Sequence, residues 1–186
     1  MPAFVSRTNN IASRALMAAV ATAMSATLMS CTSAEPEPQE QRFTQNGVDV
    51  TLRIAKWESS TGTLEATFAP TTADFHLYST DLPENGVEGV GRPTKITFKG
   101  ALDSRSAPTA SEAVHTIPVE GVTKPVPVYP DGPVTLTVPI HATGDGDATV
   151  LVSYASCSTS DGCTIPVVDH PVSLHVAEEE VTFAPH

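Results

Sequence analysis

The residues best suited to chemistry in this chain are two cysteines near its C-terminus. Cys157 and Cys163 are separated by Ser158-Thr159-Ser160-Asp161-Gly162, and Ser, Asp and Gly favour a tight turn. Such a turn brings both thiols within the few ångströms that a disulfide requires. The pair would either exchange reversibly with other thiols or staple a secreted domain, where closing so short a loop contributes about 2 kcal/mol in the chain-entropy model. The spacing alone leaves both roles open.

Other site chemistries have weaker support. A structural zinc site needs four ligands, and the two cysteines have only His170 nearby, so we expect no metal and no other cofactor. No histidine is placed in the sequence as an ordered base beside a nucleophile, which disfavours a hydrolase. The other histidines of the strand-like regions are expected to be surface or ordinary strand residues: His76, His115, His141 and His175.

The N-terminus has the pattern of a secretion signal. Residues 1–14 contain two arginines and no acid, and residues 15–29 form an unbroken run of Ala, Leu, Met, Val, Ser and Thr. As a helix this run would span about 22 Å, less than the roughly 30 Å hydrocarbon core of a bilayer, so a permanent transmembrane helix is the weaker interpretation. The run ends in Leu-Met-Ser-Cys31, which resembles the lipobox of bacterial lipoproteins. An ordinary cleaved signal with an incidental cysteine is the alternative.

The lipobox resemblance implies three segments and a location. Residues 1–30 would be the signal peptide, residues 31–42 a polar, proline-broken tether and residues 43–186 the folded domain. The protein is then expected outside the cytoplasm, attached to a bacterial membrane only through lipid on Cys31, on its periplasmic or cell-surface side. With Cys31 lipidated, Cys157 and Cys163 are the only cysteines left to pair.

The charge of the chain excludes some classes of partner. It has 10 basic and 21 acidic residues and a formal net charge of −11. So acidic a protein repels nucleic-acid phosphates and anionic lipid headgroups, and we expect neither nucleic acid nor direct lipid binding.

The body of the chain alternates as β-strands do. Apolar residues recur at every second position in 48–54, 64–68, 134–140 and 172–176, with shorter pieces at 75–77 and 96–98. Residues 148–155 are apolar on both sides and predict a central strand. Pro139 lacks an N–H, so its strand is expected at a sheet edge or to end there. About seven to nine short strands without a long helix predict an all-β, immunoglobulin-like β-sandwich.

Two stretches lack a strand pattern. Residues 79–93 and 108–130 are rich in Gly, Pro and acidic or polar residues. Long loops in a compact domain often carry function, but they are also compatible with variable surface loops.

The segments around the cysteines resemble the redox motif of a known family. They are VSYASC at 152–157, CTIP at 163–166, FHLY at 75–78, GRPTKITF at 91–98 and VYPD at 128–131. Together they resemble the N-terminal (alpha) periplasmic domain of the thiol:disulfide interchange protein DsbD, also grouped as disulfide bond corrector proteins. The resemblance extends over about residues 43–176.

This resemblance implies an electron relay of the oxidoreductase type. Cys157 and Cys163 would shuttle between disulfide and dithiol, with Cys163 attacking the downstream partner and Cys157 resolving the mixed disulfide. Electrons would come from a membrane-embedded thiol reductase and leave to thioredoxin-fold extracytoplasmic proteins, including those of cytochrome c maturation. The alternative function is a lipid-anchored immunoglobulin-like binding module with a purely structural disulfide.

Candidate neighbours of the pair are Tyr78, Tyr154, Asp161 and Pro166, with an ordinary core role as the alternative for the tyrosines. The resemblance implies a cap over the pair. The cap would be the segment 120–128, where an aromatic residue in the family covers the disulfide. Here the segment offers only Val122, with Glu120, Gly121 and Lys124 around it.

The lipobox gives a first testable expectation. Cys31→Ala removes the acceptor sulfur, so the protein should move from the membrane fraction to the soluble fraction or fail to mature. Cell fractionation followed by immunoblotting checks this. An unchanged membrane partition in the variant would contradict lipidation of Cys31.

Overall fold

A computed structural model describes residues 40–185 of the chain. Within these residues the chain forms fifteen β-strands and no helix. The strands are β1 (Glu40–Gln45), β2 (Val48–Glu58), β3 (Thr61–Pro70), β4 (His76–Leu77), β5 (Lys95–Gly100), β6 (Leu102–Ser104), β7 (Thr109–Ala110), β8 (His115–Ile117), β9 (Val126–Val128), β10 (Val134–Ala142), β11 (Gly146–Tyr154), β12 (Ser156–Ser158), β13 (Gly162–Cys163), β14 (Val167–Val176) and β15 (Val181–Phe183).

The expected signal peptide and Cys31 lie outside the described residues, as does most of the expected tether. Strand β1 begins at Glu40 and pairs with β2 along its whole length. Residues 40–42, which were expected to be the end of the tether, are therefore part of the first strand.

Two antiparallel sheets form the main body. The first has the order β1-β2-β3-β10-β6, with β7 also paired to β10, and the second has the order β15-β14-β11-β5. Buried side chains from both sheets form one cluster, represented by Leu52 and Leu136 from the first and by Val150 and Leu174 from the second. The alternation read in the sequence thus points one face of each sheet into a shared core. This confirms the prediction of an all-β, immunoglobulin-like β-sandwich.

The prediction for β11 is confirmed and the one for β10 is wrong. Strand β11 is central in its sheet, between β14 and β5. Strand β10 is not an edge strand and continues past Pro139 to Ala142, with β3 on one side and β6 and β7 on the other. Pro139 is tolerated because β7 pairs with Leu136 and Thr137 whereas β6 pairs from Ile140 onward. Between them no strand needs the N–H that proline lacks.

The two patternless stretches differ from one another. Residues 79–93 contain no strand, whereas residues 108–130 contain β7 and the hairpin of β8 and β9. Among residues 40–185, no helix is long and apolar enough to cross a membrane.

The shared core predicts the effect of truncating one aromatic side chain. Phe68 is fully buried in β3 and its ring packs edge-on against Tyr154 at 5.5 Å between centroids. Phe68→Ala should lower the free energy of unfolding by about 3–5 kcal/mol, since it removes the buried ring and leaves a cavity. Chemical denaturation measures this change. The control Val168→Ala removes a side chain that is 69% exposed and should change stability by less than about 0.5 kcal/mol; similar losses in both variants would contradict the described core.

Candidate functional site

The cysteines lie where one strand passes from the second sheet into a smaller sheet. The pairing of β11 with β14 is irregular between Val152 and Tyr154, and the chain continues as β12. Strand β12 is the middle strand of a three-stranded sheet with the order β13-β12-β4. Cys157 is therefore opposite Cys163 on one side and opposite His76 on the other.

The turn between the cysteines has the geometry that its composition predicts. The Ser158 hydroxyl oxygen accepts the backbone N–H groups of Ser160 and Asp161, each at 3.3 Å. The Ser160 hydroxyl donates to the Asp161 carboxylate at 2.8 Å. Gly162 has φ +82°, a left-handed conformation that glycine adopts without a Cβ penalty. The turn brings the Cα atoms of Cys157 and Cys163 to 4.0 Å, and the two residues form a disulfide.

The two halves of the disulfide differ in accessibility. Cys157 is 4% exposed, whereas Cys163 is an exposed residue on the edge strand β13. Cys157 belongs to a second hydrophobic cluster with Tyr78, Leu82 and Val126. An external thiol approaching the site therefore meets Cys163 first.

Tyr78, a candidate neighbour of the pair, contacts both sulfurs. Its hydroxyl oxygen lies 2.9 Å from Cys157 Sγ and 3.6 Å from Cys163 Sγ. A disulfide sulfur carries no hydrogen, so the hydroxyl is the donor. Burial raises the pKa of Tyr78, which keeps the proton on this hydroxyl at neutral pH.

The position of the Tyr78 ring depends on the segment 91–94. Gly91 has φ +86°, and a Cβ atom there would come within 2.6 Å of the Tyr78 ring. Only glycine allows the chain to lie so close to this ring. The Thr94 hydroxyl donates to the Tyr78 carbonyl oxygen at 2.7 Å. The segment 91–94 therefore positions the residue that contacts the disulfide.

His76 is a site residue that the sequence reasoning did not single out. It was expected to be a surface or strand residue, and it lies in strand β4, where it is 4% exposed and opposite Cys157. Its Nδ1 lies 3.3 Å from Asp131 Oδ1, and its ring is edge-on to Tyr78 at 6.1 Å. Desolvation lowers the pKa of His76, although Asp131 opposes this shift. The alternation of FHLY at 75–78 was the available signal, because it places His76 and Tyr78 on one face.

The expected cap segment packs onto the cysteine cluster. The segment 120–128 follows β8 and includes β9. Val126 and Val128 belong to the cluster that contains Cys157, and Val122 packs against it together with Ile117 and Val119, which precede the segment. Glu120, Gly121 and Lys124 are exposed, so the contact is made by aliphatic side chains. In place of an aromatic residue, several smaller apolar side chains cover this cluster.

A carboxylate fixes the cap to the loop 79–93. Glu88 Oε2 accepts the Thr123 N–H at 3.1 Å, and Glu88 Oε1 accepts the Thr123 hydroxyl. These hydrogen bonds, first the one from the Thr123 side chain, lower the pKa of Glu88, and Lys124 adds to the effect. Both stretches that lacked a strand pattern therefore meet beside the disulfide.

The remaining expected neighbours have other surroundings. Tyr154 belongs to the main core, and its hydroxyl donates to the Gln45 carbonyl oxygen at 2.9 Å. Burial and, secondarily, Asp49 raise the pKa of Tyr154 to about 12. Asp161 caps the turn between the cysteines, and Pro166 is exposed just before β14.

Comparison with known proteins gives one structural similarity. The fold is similar to the crystal structure of the Neisseria meningitidis DsbD N-terminal domain in the reduced form, with 13% sequence identity and a TM-score of 0.44. The match covers 75% of this chain and 91% of that one. No protein-family model matches the chain, and no curated protein matches it.

The expected role of segment 120–128 as a cap gives a prediction for the Glu88–Thr123 contact. Glu88→Gln removes the charge that both donors face, so the cap should open more often and reduction by a water-soluble phosphine should accelerate about two- to fivefold at pH 7, as expected for weakening exposed hydrogen bonds. Because the folded pKa of Glu88 is lowered, the contact is complete above the ordinary value of 4.5 and is lost as the pH falls through the lowered pKa. The ratio of variant to wild-type rates should therefore approach one at acid pH.

Glu84→Gln is the matched control, since Glu84 lies in the same loop but pairs with Lys95 instead of the cap. The disulfide of this variant should be reduced at the wild-type rate. Equal reduction rates for Glu88→Gln and wild type at pH 7 would contradict the idea that the Glu88–Thr123 contact holds the cap in place.

Proposed function

We propose that this chain is an extracytoplasmic thiol:disulfide exchange protein whose Cys157–Cys163 pair cycles between disulfide and dithiol. The observation that carries the proposal is the asymmetry of the pair. One sulfur belongs to an exposed edge residue, and the other belongs to a buried residue that accepts a hydrogen bond from Tyr78. A structural staple requires neither feature.

The geometry supports a defined order of sulfur exchange. A thiolate of the reducing partner attacks Cys163 Sγ, the Cys157–Cys163 bond breaks, and Cys157 leaves as a thiolate. Tyr78 donates a hydrogen bond to the leaving sulfur, and such bonds strengthen as negative charge develops. A second thiol of that partner then attacks its own sulfur in the mixed disulfide and releases Cys163. This leaves a dithiol here and a disulfide in the partner.

Delivery of electrons reverses these roles. Cys163 attacks a disulfide of the oxidised partner, and Cys157 then attacks Cys163 Sγ to restore the internal disulfide and release the reduced partner. The motif resemblance suggests a membrane-embedded thiol reductase as the donor and thioredoxin-fold extracytoplasmic proteins as acceptors. Lipid on Cys31 would hold the domain near such a reductase.

The cap suits this function because it limits nonspecific exchange. Aliphatic side chains of the segment around Val122 cover the cluster that contains Cys157 and Tyr78. A partner must displace or bypass this segment before the buried sulfur reacts. Selectivity would then depend on surface complementarity around Cys163 and not on a highly reactive thiol.

Two single-cysteine variants test the proposal. Cys157→Ser leaves the exposed Cys163 and should trap a mixed disulfide with a thioredoxin-fold protein, detected by mass after alkylation. Cys163→Ser leaves only the buried Cys157 of the pair and should trap far less. Equal trapping by both variants, or by neither, would contradict the proposed order.

A redox titration of the wild-type pair separates exchange from stapling. A shuttle disulfide should titrate above about −300 mV, and the fold should persist when it is reduced, since the loop contributes only about 2 kcal/mol. Unfolding that coincides with reduction, or a potential far below that value, would favour the binding module with a structural disulfide.

A further inference from the structure

The geometry points to His76 as the proton acceptor for Cys157, held in place by Asp131, when Cys157 resolves a mixed disulfide on Cys163. This inference rests on the proposed function and adds a residue to its mechanism. The sequence reasoning found no ordered base beside a nucleophile, yet the fold places one in direct cross-strand register with the buried cysteine.

The first observation is an unused acceptor. His76 is only 4% exposed, and its buried Nε2 has no hydrogen-bond partner. Buried polar atoms nearly always have partners, and one that has none requires an explanation. Asp131, as a carboxylate, accepts from Nδ1, so Nε2 is the nitrogen with the free lone pair.

The second observation is the position of that acceptor. His76 and Cys157 are directly opposed on antiparallel strands, a relation that places Cβ atoms about 4.5–5.5 Å apart. In the disulfide, Cys157 Sγ carries no hydrogen and offers Nε2 nothing to accept. Reduction creates an S–H donor on the residue opposite His76, and in this inference Nε2 accepts from it only in the dithiol or mixed-disulfide state.

The third observation is the order of the groups. Cys157, His76 and Asp131 form a thiol, an imidazole and a carboxylate in sequence, which is the arrangement that activates a nucleophile by an oriented base. Tyr78 also faces Cys157, but as a donor. It stabilises a thiolate once formed and cannot take its proton while its own proton is retained.

The chemical step balances without a further reactant. Cys163 is joined to the partner's sulfur, and Cys157 carries a thiol. The thiol proton passes to His76 Nε2, Cys157 Sγ bonds to Cys163 Sγ, and the bond from Cys163 to the partner breaks. The partner leaves as a thiolate with the electron pair, the internal disulfide is restored, and the imidazolium returns its proton to solvent or to the leaving thiolate.

The charged and titratable groups around His76 define its pH dependence. They are Asp131, whose charge favours the imidazolium, His115, whose protonation disfavours it, and the buried Tyr78 and Cys157. Burial keeps the imidazole neutral at pH 7 and therefore able to accept. Resolution should require neutral His76, so its rate should rise as the pH passes through the lowered pKa of His76.

The test follows closure of the pair with a small aromatic disulfide. The full chain carries Cys31→Ser, so that Cys157 and Cys163 are its only thiols. It is reduced and mixed with dithiobis(nitrobenzoate) in a stopped-flow instrument. A concentration-dependent phase reports modification of the exposed Cys163, and a concentration-independent phase reports attack by Cys157 with release of the second thionitrobenzoate.

His76→Asn keeps a donor toward Asp131 without the Nε2 base, and His76→Gln keeps an acceptor that cannot take a proton. Both should slow the second phase by at least about tenfold at pH 6–7, below the usual range for general-base loss because the base is weak. The first phase should not change. The deficit should shrink toward zero at alkaline pH, where Cys157 ionises without help.

Two further variants test the role of His76 even if substitutions at this buried residue prevent folding. Asp131→Asn, at a side chain that is 56% exposed, should move the acid limb of the closure profile to lower pH because it removes the charge that raises the pKa of His76. His175→Asn is the matched control. His175 makes the same kind of contact, with Asp147 at 3.2 Å, but is exposed on β14, and its variant should close at the wild-type rate.

An unchanged closure rate, an equal loss at every pH, or an acid limb that ignores Asp131→Asn would overturn the role of His76. These outcomes are separable from failure of the proposed function. If closure depends on His76 as described but Cys157→Ser traps no thioredoxin-fold protein, the proposed function fails alone. If trapping succeeds and closure ignores His76, this inference fails alone.

Discussion

The site depends on the backbone pairing of β12 between β4 and β13. This pairing places Cys157 opposite His76 on one side and opposite Cys163 on the other. Each of the three residues comes from a different strand, and His76 meets Cys157 only through the pairing of β4 with β12. Strand β12 reaches this position because the chain leaves the second sheet after Tyr154. A departure from regular sheet pairing thus creates the site.

The protein has two separate hydrophobic clusters, one that forms the main core and one that contains the buried cysteine. The main cluster joins the two sheets and contains the large fully buried side chains of β2, β3, β10 and β11. The second contains Cys157 and Tyr78 and is covered by loop residues. Because the first cluster is the larger one and lies between the two sheets, the proposed opening of the cap and reduction of the disulfide would leave the sandwich intact. The carboxylate of Glu88, on a neighbouring loop, restrains the cap through contacts that lie in solvent.

The burial of one sulfur and the exposure of the other give the site a direction. In the proposed function exchange begins at Cys163, while Cys157 remains among Tyr78, His76 and apolar side chains. A buried thiol is a poor nucleophile unless something removes its proton or stabilises its anion. Tyr78 supplies the hydrogen bond to sulfur, and the proposed role of His76 supplies the acceptor for the proton. His76 and Tyr78 both belong to the short segment 75–78, so a movement of this segment would displace both residues together.

The sequence by itself determined the periodic and local features of this protein. Alternation of apolar residues over 48–54 and 134–140 predicted the strands and the all-β class, because a period of two directs one face to a core. The composition of the turn between Cys157 and Cys163 predicted their approach, since it needs only local conformations. Only the tertiary structure decided the long-range relations. Pro139 proved compatible with an internal strand because its neighbours leave a gap, Tyr154 was drawn into the main core by Phe68, and His76 was brought opposite a cysteine eighty-one positions away. Register between distant strands follows from the packing of the whole sheet, which no local pattern contains.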